Sequence, residues 1–275
     1  MTLEELIGKT EKRFTAARLH YGHGTENARD EAAYLVLRAL RLPFETDLSR
    51  EITAAQRARV NSLVEKRIRK KIPAAYLLRE AWLDGQRFYV DERVIVPRSH
   101  IAFILKDLPA PRTVLDLCTG SGCLAVLAAR AFPRARVTAS DLSADALAVA
   151  RRNVARHRRI RLVQSDLFAK LDGRFDLIVT NPPYVPASSM KRLPDEYRRE
   201  PALALGAGRD GLDLVRRILA QARRHLSKDG ILVCEVGEAR RALEKAYPRL
   251  PFAWPAESVF RLERSELPAE IQLSV

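Results

Sequence analysis

Asn181-Pro182-Pro183-Tyr184 is the stretch whose residue types could do chemistry. It follows residues 175–180, a short apolar run rich in strand formers. Two successive prolines cannot extend a strand, because neither has an N–H and both fix φ. The chain must leave the sheet there as a stiff loop whose carbonyls no ladder claims. An Asn side chain beside a Pro carbonyl offers two acceptors on a rigid support, and Asn adds a donor. Tyr184 adds a flat face for stacking. Such a corner suits a planar carboxamide or an amino-heterocycle, whose two N–H bonds need two acceptors. Taken alone, the tetrapeptide reads equally well as a proline-rich turn with Asn at a strand end.

A second stretch, Asp116-Leu117-Cys118-Thr119-Gly120-Ser121-Gly122, follows a strand-like run and opens a helix. Its glycines let the backbone turn sharply and approach a ligand. Ala125 stands where a dinucleotide fingerprint has its third glycine, so the loop indicates a cofactor without saying which. The acids narrow the choice. Asp141 ends the second strand, where a carboxylate can accept both ribose hydroxyls. Asp166 follows the third strand, where it can accept from an adenine amino group. Asp116 would repel a pyrophosphate and favour a cationic group such as the amino group of a methionine-derived sulfonium. Each acid alone is more often a cap or a solvated strand end. Together with the glycine turn they favour S-adenosylmethionine over a nicotinamide dinucleotide. No metal-type spacing is present.

The elements that must position these loops follow from periodicity. Strand-like runs at 114–117, 135–140, 160–163, 175–180 and 231–235 alternate with helix-like runs at 123–131, 144–156, 212–226 and 239–247. Residues 258–263 and 270–275 are expected as closing strands. This alternation predicts an α/β fold, a mostly parallel sheet covered by helices on both faces, and ligands beyond the carboxyl ends of its strands. Residues 1–80 read as helices, with a capping box at Thr53 and Gln56 starting a helix that runs to about Lys71. That helix is expected to present Arg57, Arg59, Lys66, Arg67, Arg69, Lys70 and Lys71 on an outer face that is either solvated or in contact with a substrate or nucleic acid. Residues 88–90 and 94–96, flanking 91–93, predict a stiff hairpin link. The expected units are residues 1–85, 86–97 and 98–275.

The chain has 275 residues, of which 47% are hydrophobic. No apolar run approaches the roughly 20 residues that span a bilayer, and Met1–Glu5 lacks a signal-peptide pattern. Cys118, Cys123 and Cys234 leave one unpaired, which suits a reducing cytoplasm. A formal net charge of +14 favours anionic partners such as RNA or ribosomal particles, unless it reflects only an Arg-rich codon bias. Arg151, Arg152, Arg156, Arg158, Arg159 and Arg161 form a run that would either contact phosphates or complement a helix dipole.

The glycine loop with Asn181–Tyr184 resembles the HemK/PrmC-type class I protein glutamine N-methyltransferases. The stretches 88–99, 193–198, 200–205 and 208–213 are similar to the branch of that family acting on a large-subunit ribosomal protein. The similarity covers most of residues 72–275. It implies a helical N-terminal substrate-recognition domain, a hairpin link and a seven-stranded Rossmann-like catalytic domain. It further implies that Cys118 to Gly122, Asp141 and Leu167 contact S-adenosylmethionine and that Asn181 to Tyr184 grip the glutamine. The substrate it implies is a ribosomal protein, free or on a pre-ribosomal particle. The chain departs from the family where His100-Ile101-Ala102-Phe103 follows Pro97-Arg98 without the usual glutamate, which puts in doubt any contact that glutamate makes. The release-factor glutamine and an adenine amine fit the same corner, and a non-catalytic RNA-binding module is a reading from another class. No DNA-reading module is evident.

Overall fold

Thr2 and Glu5 exchange side-chain and backbone hydrogen bonds, a capping box that starts α1 (Leu3–Ala16). The computed structural model describes residues 1–270. Asn27 caps α2 (Ala28–Ala39), and the box predicted at Thr53 and Gln56 starts α3 (Ala54–Lys70). These three and the short α4 (Ala74–Leu78) bury a common apolar cluster that includes Phe14, Leu35, Val60 and Val64.

Arg67 corrects the expected outer face of α3. It is fully buried, with Nε donating to Glu31 Oε1 at 2.6 Å, Nη1 to Glu196 Oε1 at 3.0 Å, and Nη2 to the His20 carbonyl at 2.8 Å. The spacing explains it: Val60, Val64 and Arg67 stand at i, i+4 and i+7, on one helix face. Glu196 belongs to the catalytic half of the chain, so Arg67 joins the helical unit to it.

The hairpin lies earlier than predicted. β1 (Ala81–Leu83) and β2 (Gln86–Phe88) pair through Asp84-Gly85, both at positive φ, a two-residue turn matched to strand twist. Residues 89–96 form no strand. Side chains claim their backbone instead: Asn153 bonds both the N–H and the carbonyl of Tyr89, Asp91 takes the Arg93 N–H, and Tyr76 donates to the Val94 carbonyl.

After the short α5 (Ile101–Ile104), the sheet begins. Its strands are β3 (Thr113–Leu117), β4 (Arg136–Asp141), β5 (Ile160–Gln164), β6 (Phe175–Thr180), β7 (Leu226–Glu235), β8 (Ala253–Ala256) and β9 (Val259–Glu263). Between them run α6 (Cys123–Ala131), α7 (Ala144–Val154), α8 (Ala187–Met190), α9 (Asp213–His225) and α10 (Arg240–Ala246). Spatial order is β5-β4-β3-β6-β7-β9-β8, parallel through β7 and antiparallel at β9 and β8. The predicted seven-stranded, mostly parallel Rossmann-like sheet is therefore present. β3 and β6 bury nearly every residue, as strands covered on both faces must. One cluster packs α5 and α6 on one face, and another packs α9 and α10 on the other.

A seventh strand comes from residues 253–256; of the closing strand expected at 270–275, residues 271–275 lie outside the described residues. Pro255 hid β8, since proline is confined to sheet edges, and β8 is the edge. β7 starts five residues before its predicted start, with a register shift against β6.

Candidate active site

From β3 the chain steps outward to β4 and β5, then returns to the other side of β3 as β6. Two neighbouring strands thus send their connections opposite ways, and a crevice opens at their carboxyl ends. Leu117 and Thr180 are direct partners in that pair. The glycine loop and the diproline corner begin at the very next residues, so topology alone sets them side by side. A cavity of about 480 Å³ lies there, within the usual ligand range. Cys118, Gly120, Asp141, Asp166, Leu167, Asn181 and Pro183 line it.

The loop half is tightly built. Cys118 and Leu167 hold φ of 60° and 47°, uncommon for residues with side chains and a mark of imposed geometry. A Cβ on Gly120 would meet open space, so the backbone there is bare towards the cavity. Asp141 Oδ2 accepts from the Gly120 N–H at 2.8 Å and Oδ1 from the Ser143 N–H at 2.9 Å. Burial raises its carboxyl above the usual range. Each oxygen keeps a lone pair for a hydroxyl donor. Ser140 Oγ, on the same wall, is buried without a partner. Asp166 is half-exposed and pairs with Arg217 at 2.8 Å.

Four loop residues serve the backbone rather than the cavity wall. Asp116 is fully buried outside the cavity lining; its Oδ2 accepts from the Thr119 hydroxyl and the Ala125 N–H, and its Oδ1 has no hydrogen-bond partner among the described residues. Its carboxyl braces the turn into α6, and burial pushes its pKa up to about 7. Thr119 is the donor in that brace. Ser121 offers its carbonyl to Asn153. Gly122 lets α6 approach α7, where a Cβ would sit 3.2 Å from that of Ala150.

At the corner, neither the Asn181 side chain nor the Pro182 carbonyl carries a hydrogen bond among the described residues. Pro182 is buried, and neither it nor Tyr184 lines the cavity. The Tyr184 ring lies on Gly237, 2.4 Å from where a Cβ would be, and its carbonyl lies 2.3 Å from a Cβ position on Gly211. Burial pushes its hydroxyl up to about 12. Both glycines have positive φ, so the sequence supplies the only residue that satisfies backbone and space together.

The periodicity pointed to neither of two further parts. Arg93, Val94 and Ile95 line the cavity from the link, and Pro201, Leu203 and Ala204 line it from the segment between β6 and α9. That segment is anchored by acids. Glu200 accepts from both Arg98 nitrogens at 2.7 and 2.6 Å and from the Val96 N–H, while Glu196 takes Arg67 and the His20 N–H. Buried His23 packs against Tyr197 with the rings tilted by 49° and lies 3.7 Å from Glu200; burial lowers its pKa to about 4. Where the expected glutamate after Arg98 is missing, Phe103 is exposed, but Glu235 from β7 reaches the start of α5 and accepts from Ser99 Oγ and the His100 N–H.

No cluster of three or more His, Cys, Asp or Glu suited to a metal occurs among the described residues. The family model described as Methyltransferase small domain matches residues 100–193. Three curated relatives match almost end to end, each bearing the name ribosomal protein uL3 glutamine methyltransferase. The protein from Bordetella pertussis is 50% identical over 97% of this chain and 96% of its own length. That from Burkholderia pseudomallei is 49% identical over 98% and 96%, and that from Neisseria meningitidis serogroup B 46% over 98% and 95%.

Proposed function

The chain belongs to the ribosomal protein uL3 glutamine methyltransferase family, and from that premise we propose how its residues perform glutamine N-methylation. The observation that carries the reading is Asn181 on the wall of the glycine-loop cavity, its side chain unclaimed, next in sequence to the Pro182 carbonyl, which no described residue claims either. S-adenosylmethionine fits that cavity: Asp141 retains acceptor capacity for ribose hydroxyls, Ser140 Oγ lacks a partner, and Gly120 exposes bare backbone. When bound, it supplies a methyl group on a positively charged sulfur.

An amide nitrogen is a weak nucleophile because its lone pair is shared with the carbonyl. Accepting both N–H bonds at Asn181 and Pro182 returns electron density to nitrogen and fixes its direction. The diproline backbone holds the Pro182 carbonyl, the Asn181 side chain is ordered when it takes the substrate N–H, and most of the gain is orientation. Pro183 supports the corner, and Tyr184, seated on Gly237, keeps it from rotating. The surplus proton on nitrogen is acidic once the new C–N bond has formed and passes to water, so no strong base is required. Residues 1–85 recognise the substrate protein, residues 86–97 join them to the catalytic unit at 98–275, and Glu196 and Glu200 hold the roof segment between them. The setting is the cytoplasm, in keeping with three free cysteines, and RNA on an assembly particle would offset the repulsion between a chain of net charge +14 and a basic ribosomal protein, so transfer at low salt is expected on free uL3 and faster on particles.

The test is transfer of radiolabelled methyl to purified uL3, release factor and ribosomal RNA in parallel. Label on a single uL3 glutamine is expected. Label entering only release factor or only RNA overturns the reading.

A further inference from the structure

A second cavity, of about 570 Å³, lies at the opposite edge of the sheet. It is lined by Thr113, Arg136, Ile160 and Phe175, the first residues of β3, β4, β5 and β6. The same four strands end at the candidate active site, so one strand length of five or six residues, about 17–20 Å, separates the two. Arg158, Arg159, Arg161 and Arg174 join Arg136 around this cleft, against one acid, Asp172.

We propose that this cleft binds the phosphate backbone of RNA. It places the RNA contact of the proposed function and rests on that reading only for the source of the RNA. Complementing a helix dipole explains one arginine of the five. Arg159 donates to the carbonyls of Ala129, Phe132 and Ala135 at the end of α6. Arg136, Arg158, Arg161 and Arg174 have no carboxylate or carbonyl partner among the described residues and are exposed. Such guanidinium forks match phosphate oxygens. The neighbouring Asp176 is already occupied by the N–H groups of Arg112 and Thr113 and by two hydroxyls. Charge is also sorted along the strands. Residues 130–161 contain nine Arg and two acids, and both acids, Asp141 and Asp145, stand at the active-site end. The concave floor admits a backbone strand, whereas a lipid surface needs a projecting face. With phosphates as the target, binding follows shape and charge rather than base sequence.

The experiment uses the full chain and a fluorescein-labelled 20-base-pair RNA duplex, with anisotropy titrations from low to high salt. One variant combines Arg136→Gln, Arg158→Gln, Arg161→Gln and Arg174→Gln. A control with equal charge loss combines Arg57→Gln, Arg59→Gln, Lys66→Gln and Lys70→Gln on exposed α3. The cleft variant is expected to bind at least about tenfold more weakly at moderate salt, with its log–log salt slope smaller by about 3, while the control stays within about threefold of wild type. Methyl transfer to free uL3, measured on the same preparations, reports the active site separately and is expected to be unchanged in the cleft variant. Equal weakening in both variants, or wild-type affinity in the cleft variant, overturns the proposal. So does binding of phosphatidylglycerol vesicles, but not of RNA, through these arginines.

Discussion

A carboxamide nitrogen has two N–H bonds in one plane, and Asn181 with Pro182 offers two acceptors, one on a side chain and one on a backbone whose φ proline fixes. The presence of these two acceptors was legible from residue types alone, because they are neighbours in sequence. The brace that Asp116 forms with Thr119 and the Ala125 N–H was not, since it depends on how the loop folds back onto α6. Two predictions belong at this scale. Folding raises the Asp116 pKa from about 3.9 to about 7 by burial. The charged form is therefore penalised in the fold. The cost is absent below pH about 4, accumulates as pH rises towards 7, and is complete above it, on the order of a few kcal/mol. Asp116→Asn, which can accept from the Ala125 N–H, is expected to match wild-type stability near pH 4 and exceed it at pH 8 in urea unfolding. An unchanged difference between the two pH values would contradict this. The second concerns Gly237. Its φ of +50° and the ring of Tyr184 2.4 Å from a Cβ mean that Gly237→Ala must displace that ring. Turnover is expected to fall about tenfold or more while S-adenosylmethionine affinity stays within a few-fold; calorimetry beside steady-state rates separates the two.

Elements were legible where one periodicity held throughout and obscure where side chains replaced a ladder. The alternation from residue 113 to residue 235 fixed sheet and helices closely, because fully buried parallel strands read as apolar runs. The link misled: its valines resemble a strand, but Asn153, Tyr76 and Asp91 take over its backbone. The Asp84-Gly85 turn was the signal that could have found the true hairpin. β8 was obscured by Pro255. Arg67 shows the same limit between elements. Its place at i+7 from Val60 marks an inner face, but Glu31 and Glu196 lie 36 and 129 residues away, beyond any local pattern. Breaking a buried charge network by removing one member typically costs about 3–5 kcal/mol, because the remaining charges stay buried. Arg67→Ala is expected to destabilise the protein by about that much in denaturant unfolding. Arg67→Met with Glu31→Gln and Glu196→Gln is expected to recover most of the loss. A change below about 1 kcal/mol for Arg67→Ala would show that the network does not hold the two halves together.

Over the whole molecule, one sheet carries a cavity at each end of its strands. At the carboxyl edge, topology brings together loops 60 residues apart in sequence and leaves a cavity between them. At the amino edge the same strands begin beside five arginines, four of which have no carboxylate or carbonyl partner among the described residues. The helical unit is not a loose appendage: Arg67 and Glu196 tie it to the segment that roofs the cavity. Among the described residues no helix is long and apolar enough to cross a membrane. The whole account depends on the diproline corner acting on the acceptor amide and not on the methyl donor. The direct measurement is Asn181→Ala, with single-turnover methyl transfer to uL3 read beside S-adenosylmethionine affinity. Transfer is expected to fall at least about a hundredfold with cofactor affinity within a few-fold of wild type. Transfer at a near wild-type rate, or a loss explained wholly by weaker cofactor binding, would contradict the account.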